Sequence, residues 1–369
     1  MTKSIKTAAE ILKFRLRMEI ALRDAAPPAP ATPDELDRLV AWQTAYWADR
    51  TVLTGAAAHQ ALNDLNNRSI SAFVFSIRGR HVRLWPKREF SFPAGEETLR
   101  RSEQQTFARR ATLYRAFIEK VVRRSRLEYS IDFALDVNDY PEDHPDYPIF
   151  AFQKERSAHN ILLPDVDFFH SKWYREDQDT LPYESKLVSA CFVGSSTGAW
   201  LSVEGIRRLE APRLRAAAYF YGNPRVYFRI ANAVQCLSEE ARSILMSQPY
   251  YTDFVSWQDQ LRHRFIISMD GNGAACSRLV KGLRSNSVVI KFESPYELYY
   301  FPALVAGRDY VSVEDEQGVE RIIETEAENP GTFKSFTVAG QQFSAKYHNI
   351  RSVMDYTARL LTAFAARGA

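Results

Sequence analysis

Cysteine is scarce in this chain, and neither sign of charge is in large excess. The three cysteines (Cys191, Cys236 and Cys276) lie far apart and lack C-x-x-C spacing, so they predict neither a disulfide framework nor a zinc site. The formal net charge at pH 7 is only +3, so no global field favours nucleic acid. We therefore expect a protein of a reducing compartment that does not bind nucleic acid.

Long apolar runs and the common nucleotide-binding signatures are also missing. Charged residues from Glu10 to Arg17 interrupt the N-terminal segment, which therefore predicts neither a signal peptide nor a membrane span, and we expect a cytoplasmic protein. No G-x-G-x-x-G or Walker lysine occurs, and the histidines show no metal-ligand spacing. These absences count against a nucleotide-sugar dehydrogenase or epimerase, which stays open as an alternative.

Apolar periodicity predicts an α/β chain whose 369 residues suit two domains. A helix over 7–23 is followed by a proline-rich stiff linker at 24–33, and an arginine-rich helix covers 100–126. The default interpretation of that arginine-rich helix is a solvated face. The predicted strands are 71–77 and 81–85 (a hairpin), 129–137, 148–152, 160–164, 189–193, 265–268 and 287–291, and a final helix covers 351–366. Two α/β domains with a cleft between them is the natural interpretation.

The most informative segment runs from Ser268 to Leu283. There an apolar strand stops at a glycine-rich turn, and a helix that carries Arg278 in its first turns follows. Glycines let the backbone approach a ligand closely, and the N–H groups at a helix N-terminus bind anions. Arginine adds a planar fork of donors that suits phosphate oxygens. The segment therefore predicts a diphosphate site.

Four blocks, taken in order, extend this interpretation. They are 137–165, with the pattern D-Y-P … P-I-F-A-F-Q-K … I-L-L-P; 192–197, F-V-G-S-S-T; 270–283, ending in S-R-L-V-K-G-L; and 293–313, E-S-P-Y-E-L-Y-Y-F-P … D-Y-V-S-V. This ordered set resembles glycosyltransferase family 90, which contains protein O-glucosyltransferases, fungal capsule xylosyltransferases and bacterial lipopolysaccharide-modifying enzymes. The resemblance covers more than half of the chain.

The resemblance implies a GT-B architecture, in which two Rossmann-like domains face each other across a cleft. Residues 1–185 would form the acceptor-side domain, and 186–349 the nucleotide-sugar domain. The C-terminal helix, 350–369, would pack back on the first domain. The implied chemistry is inverting, uses UDP-linked glucose, xylose or a related sugar, and needs no cofactor and no catalytic metal. Asp165 and Asp167 form a D-x-D pair, but the pair lies in the acceptor-side block, so we discount it as a manganese signature.

Asp139 matches the family's catalytic base. Inversion needs a carboxylate that accepts the proton of the acceptor hydroxyl as its oxygen attacks the anomeric carbon. The alternative for Asp139 is that it only closes the turn before Tyr140 and Pro141, and Asp136 is a nearby competitor for the role of base.

The donor is expected to meet two small-residue loops and the strand end that follows them. Arg278 would neutralise the diphosphate as the leaving group gains charge. The other expected donor-binding residues are Gly194, Ser195, Ser196, Thr197, Asp270, Gly271, Asn272, Gly273, Ser277, Glu293, Ser294 and Glu297. The family pattern has arginines where this chain has Val193 and Ser196, so one or two contacts are missing or are supplied elsewhere.

The resemblance therefore implies an inverting transferase that acts on a hydroxyl of a lipopolysaccharide or capsule glycan. The lack of a secretory signal favours a bacterial cytoplasmic enzyme over the lumenal protein-glucosylating branch. A peripheral membrane contact through the arginine-rich helix or the N-terminal helix is a further hypothesis. The alternative is a non-catalytic glycan-binding or nucleotide-sugar-binding protein that kept the fold, as Val193 and Ser196 hint.

Overall fold

The computed structural model describes residues 3–24, 30–93, 97–125, 128–167, 179–274 and 276–367. The predicted proline-rich linker lies largely outside these residues. The helices are α1 (Lys3–Asp24), α2 (Pro33–Thr44), α3 (Gly55–Arg68), α4 (Glu97–Ser125), α5 (Val203–Arg207), α6 (Pro212–Tyr219), α7 (Glu239–Met246), α8 (Trp257–Gln260), α9 (Cys276–Leu283), α10 (Glu316–Glu328), α11 (Lys334–Tyr347) and α12 (Ile350–Ala365). The strands are β1 (Ala72–Gly79), β2 (His81–Leu84), β3 (Tyr129–Asp136), β4 (Phe150–Ala151), β5 (Lys154–Glu155), β6 (Ile161–Leu162), β7 (Leu187–Ser195), β8 (Val226–Asn232), β9 (His263–Ser268), β10 (Val288–Phe292), β11 (Tyr296–Glu297) and β12 (Val311–Val313).

The chain folds into two compact units. The described residues up to 167 form the first unit together with 296–303 and 346–367, and those of 179–295 and 304–345 form the second. Each unit contains a five-stranded sheet with parallel strands, so the predicted α/β class is confirmed. Glu293 and Ser294 belong to the second unit, whereas Glu297 belongs to the first.

The sheet of the first unit has the strand order β2-β1-β3-β4-β6. The predicted hairpin is confirmed as the antiparallel pair β1–β2, and β3, β4 and β6 run parallel to one another. The strands predicted at 148–152 and 160–164 are shorter than expected, with two residues each. Because parallel strands end at the same edge, the segments after β3, β4 and β6 come together there.

The last helix, α12, completes the core of the first unit. It packs on α2, α4 and β3. The Phe150 ring lies 4.9 Å from that of Phe133 and 5.1 Å from that of Phe364, and the Tyr356 hydroxyl donates to the Leu162 carbonyl at 2.7 Å. These buried aromatic contacts tie the end of the chain to a sheet formed much earlier in the sequence.

The second sheet is entirely parallel, in the order β12-β10-β9-β7-β8. The predicted strand–helix–strand unit of β9, α9 and β10 is confirmed, whereas β8 was not predicted. Successive side chains of β7 point to opposite faces of the sheet and pack in two apolar clusters. Phe192 lies in one cluster, and Cys191 and Val193 lie in the other. The chain leaves β7 for β8 on one side and returns to β9 on the other, so the strand order reverses between β7 and β9.

His263 makes the stability of the second unit dependent on pH. Burial, with a smaller effect of the cations Arg262 and Lys186, lowers the pKa of His263 to about 4. The unfolded chain therefore binds the proton near pH 6.5 and the folded chain only near pH 4, so this stabilisation is present above pH 6.5 and is lost as the pH falls toward 4. Urea unfolding at pH 7.5 and pH 4.5 gives the free energy of unfolding that is lost on acidification. We expect His263→Asn to reduce this loss by about 1–2 kcal/mol. The exposed His81→Asn should leave that loss unchanged, and equal losses in all three proteins would contradict the assignment.

Candidate active site

Two loops, the β7 loop (194–198) and the β9 loop (269–273), meet where β7 and β9 end. Gly194 and Ser195 close β7 with a register shift between them, and the turn from Asp270 to Gly273 follows β9. The backbone N–H of Gly198 donates to the Asn272 Oδ1 atom at 3.1 Å. The structure therefore joins two of the segments that the sequence singled out, and it does so at the strand-order reversal, where open α/β sheets form a ligand crevice.

Glycine is required at this junction by close approach. A Cβ atom on Gly271 would overlap the Thr197 Oγ1 atom and would lie 3.1 Å from the Arg213 guanidinium carbon. Gly198 has a φ of +118° and faces the Gly271 carbonyl. A larger residue at Gly271 would push the two loops apart, which explains the sequence signal in physical terms.

Arg213 lies between these loops and was missed by the sequence analysis. Its guanidinium donates to the Ser195 carbonyl at 3.0 Å, to Thr197 Oγ1 at 2.7 Å, to the Met269 carbonyl at 2.8 Å and to the Asp270 carbonyl at 2.9 Å. Burial and the nearby Arg278 lower the pKa of Arg213 to about 9, against the opposing effect of Asp270, so the group stays charged at pH 7.

Arg278, on α9, is held beside the end of β7. It donates to the Val193 carbonyl and, at 2.9 Å, to the Gln260 side-chain oxygen, and its guanidinium carbon lies 4.4 Å from the centre of the Phe192 ring. Burial lowers the pKa of Arg278 to about 10. Both acceptors are neutral, so neither cancels the positive charge beside the β7 loop.

Four of the other residues predicted to bind the donor have different surroundings. Ser294 donates to the Asp270 carboxylate, which joins the end of β10 to the β9 loop, and the exposed Ser277 lies in the first turn of α9. The buried Ser196 hydroxyl instead donates to the Val234 carbonyl and accepts from its N–H, so this side chain braces the loop. Glu293 is exposed, and its backbone N–H donates to the Val313 carbonyl.

In the first unit, Asp139 lies at the edge where β3, β4 and β6 end. Its carboxylate accepts from Arg110 of α4 at 3.2 Å, and its carbonyl accepts from the Gln153 side chain at 2.6 Å. Arg110 also donates to the Val137 carbonyl at 2.9 Å, and its guanidinium carbon lies 5.2 Å from the centre of the Phe152 ring. Neighbouring segments thus hold Asp139 at one position while leaving its side chain 32% exposed.

Asp136, the competitor for the role of base, is fully buried. Its carboxylate accepts from the backbone N–H groups of Asn138 and Glu142, both at 2.9 Å. Burial raises the pKa of Asp136, and these hydrogen bonds oppose the rise. Asp136 therefore closes the turn that carries Asp139, and the more exposed Asp139 is the better placed of the two to meet a substrate.

Asp165 and Asp167 follow β6 at the same edge. Asp165 accepts from the Asp167 N–H at 2.9 Å. Burial and the Asp167 carboxylate raise the pKa of Asp165, while Arg110 opposes that rise. Within the part of the chain that the structure describes, no group of three or more histidine, cysteine or acidic side chains is placed to hold a metal ion.

Glu297 lies in the small sheet that β5 and β11 form in the first unit. Its carboxylate is 3.5 Å from the Arg156 guanidinium, and burial raises its pKa against the effects of Lys154 and Arg156. The structure thus places Glu297 beside two cations, in a different unit from the other twelve residues predicted to bind the donor, Arg278 included.

The solvated-face interpretation of α4 holds for part of the helix. The side chains of Arg100, Arg101 and Arg123 are 46%, 55% and 59% exposed and lie in ion pairs within the helix. Arg110 is 22% exposed and is directed to the Asp139 loop instead. Among the described residues, no helix is both long and apolar enough to cross a membrane.

Three solved structures show low similarity to this chain. The crystal structure of the GtfA/B complex has 16% identity and a TM-score of 0.30, with 52% of this chain and 39% of that chain covered. The pneumococcal O-GlcNAc transferase GtfA in complex with UDP and GlcNAc has 10% identity, a TM-score of 0.32 and coverage of 59% and 41%. TarM has 7% identity, a TM-score of 0.31 and coverage of 67% and 58%. The matched part is therefore less than two thirds of each of those chains, and no curated protein matches.

The family comparison covers more of this chain. The model of glycosyl transferase family 90 matches residues 97–367, which include Asp139, both loops of the second sheet and α12. The match spans most of the chain and agrees with the resemblance carried by the four sequence blocks. The chain therefore belongs to glycosyl transferase family 90.

Proposed function

We propose that this enzyme is an inverting glycosyltransferase of GT-B architecture that moves glucose, xylose or a similar sugar from a UDP-sugar to a hydroxyl of a lipopolysaccharide or capsule glycan, without a metal ion. The observation that carries the proposal is the junction of two loops at the strand-order reversal of the second sheet. Arg278 and Arg213 bring two guanidinium groups to this junction, and the hydrogen-bond acceptors described for them are neutral. Two cations close together favour a dianionic ligand such as a diphosphate.

The donor half of the reaction depends on charge that develops during bond cleavage. As the glycosidic bond breaks, the departing diphosphate gains negative charge. The positive charge of Arg278 is already fixed by Gln260 and the Val193 carbonyl, so it stabilises that charge without reorganising. Backbone N–H groups of the two small-residue loops would contribute in the same way.

The acceptor half depends on a base at the edge of the first sheet. Asp139 would accept the proton of the attacking hydroxyl late in the reaction, when that oxygen has become acidic. Arg110 and Gln153 hold the side chain and the carbonyl of Asp139. A base held in one orientation adds the advantage of positioning to its proton affinity.

Thermal unfolding with UDP and a panel of UDP-sugars tests the donor site. A ligand at one hundred times its Kd adds about 2.7 kcal/mol to the stability of the folded chain, which raises the midpoint by about 2–4 °C. We expect that rise in the wild type and in Arg225→Ala, which removes an exposed arginine of the same unit, but not in Arg278→Ala. No rise with any uridine nucleotide would move the interpretation to a non-catalytic glycan-binding protein.

We further propose a cytoplasmic location with peripheral contact at the inner face of the membrane. The exposed positions of α1 include Leu12 and Leu16, with Lys13 and Arg15 beside them, and α4 adds exposed arginines. Exposed apolar and basic side chains on α1 and α4 suit an anionic lipid interface. Absence of pelleting with anionic vesicles at low salt would rule this contact out.

A further inference from the structure

We propose that Arg213 is the positioning residue of the donor site, which sets the distance between the β7 loop and the β9 loop. The inference rests on the proposed function, because it assumes that these loops hold the nucleotide diphosphate. It adds a residue that none of the four sequence blocks contains. The β7 loop lacks an arginine at position 196, and the guanidinium of Arg213 reaches the same loop from helix α6.

The hydrogen bonds of one side chain span both loops. The Nη1 atom donates to the β7 loop, at the Ser195 carbonyl and Thr197 Oγ1. The Nε and Nη2 atoms donate to the β9 side, at the carbonyls of Asp270 and Met269. The distances lie between 2.7 and 3.0 Å, within the normal range for such bonds. A change in the separation of the loops would break at least one pair of these bonds.

Only an arginine suits this arrangement. Its planar fork carries five N–H donors in fixed directions, whereas a lysine ammonium is a compact charge with three donors on a flexible stem. The side chain is also packed tightly, since its guanidinium carbon lies 5.2 Å from the centre of the Phe192 ring and 3.1 Å from the place that a Gly271 Cβ would occupy. Tight packing on Phe192 and Gly271 leaves the guanidinium little room to move.

Burial separates this role from direct binding of the ligand. Arg213 is only 9% exposed, and the four bonds described above use its three nitrogen atoms on protein acceptors. The nucleotide would instead meet the loop backbone that Arg213 holds. A preorganised loop loses less conformational entropy when the ligand binds. Loss of the Arg213 hydrogen bonds should therefore weaken binding without removing a ligand contact.

The test compares Arg213→Gln and Arg213→Lys with the wild type, and it uses Arg215→Gln as the matched control. Arg215 is exposed on the same helix and its replacement changes the charge by the same amount. Hydrogen exchange of the amides of 194–198 and 269–273 reports the loops, and calorimetric titration with UDP reports the site. Should Arg213→Gln fail to fold, the lysine variant keeps the charge and still removes the fork.

We expect faster exchange at 194–198 and 269–273 in the Arg213 variants, unchanged exchange in the preceding strand residues 188–193 and 263–268, and a Kd for UDP raised by about tenfold or more. The Arg215 variant should stay within about twofold of the wild type in both measurements. Loop exchange in the Arg213 variants that is as slow as in the wild type would overturn the positioning role. Faster loop exchange with an unchanged Kd for UDP would overturn it as well. If the wild type itself does not bind UDP, the proposed function fails, and hydrogen exchange alone then decides whether Arg213 clamps the loops.

Discussion

Asp139→Asn is expected to lower the rate constant of sugar transfer by about 10²–10⁴-fold, the usual contribution of a general base. Asparagine keeps the shape of the side chain but cannot accept the proton of the attacking hydroxyl. The Kd for UDP should stay within about twofold, because Asp139 lies in the first unit and the donor loops lie in the second. The measurement is UDP release from the nucleotide sugar that raises the unfolding midpoint most, with lipopolysaccharide-core or capsule fragments as acceptors.

Asp146→Asn is the control for this change. Asp146 is exposed and lies seven residues further along the same segment, so the variant loses the same charge without touching the strand edge. It should retain the wild-type rate. A transfer rate in Asp139→Asn within about threefold of the wild type would contradict the role of Asp139 as base and leave only its part in the turn.

Glu326→Gln is expected to lower the free energy of unfolding by about 3–5 kcal/mol, because it leaves a buried cation without its partner. Glu326, on α10, is fully buried and accepts from Arg264 of β9 at 2.7 Å and from the N–H groups of Gly331 and Phe333 at 2.7 and 3.2 Å. An amide can replace the shape of the carboxylate but not its charge or all of its acceptors. Urea unfolding measures the loss.

The ion pair between Glu204 and Arg208 is the control for Glu326. It has a similar distance of 2.7 Å, but its side chains are 54% and 69% exposed. Water screens that pair, so Glu204→Gln should change the free energy of unfolding by less than about 0.5 kcal/mol. If Glu326→Gln and Glu204→Gln lower the free energy of unfolding equally, burial does not decide the strength of these ion pairs. The double change Arg264→Met with Glu326→Leu should recover much of the loss, since it removes both charges.

Local patterns predicted well where β7 and β9 end and their loops begin. The apolar run before Asp270 and the glycines after it predict a strand that ends in a tight turn, and the structure forms β9 and the turn at those residues. The small residues from Gly194 to Thr197 likewise end β7. Such signals are readable because a buried parallel strand and a left-handed or crowded turn each restrict the residues allowed at single positions.

The sequence did not predict the contacts of Arg213 with the two loops or of Arg110 with Asp139. Arg213 shares a helical face with Ala216, Ala217 and Phe220, and Arg110 lies one turn before the buried Tyr114. A cation on an apolar helical face was the available signal, and in α4 it was outweighed by the many solvated arginines around it. Their acceptors are mostly backbone carbonyls, which every residue carries, so no sequence motif marks those partners.

The sequence by itself determined the family, the α/β class and the loops at which a diphosphate is expected to bind, because these follow from short-range spacing and from four ordered blocks. Only the tertiary structure decided that Asp136 closes a turn while Asp139 stays partly exposed, that Ser196 braces its loop, and that Arg213 joins two loops. Each of these outcomes depends on contacts between residues far apart in the chain. Strand order brings such residues together, and a linear pattern does not encode that order.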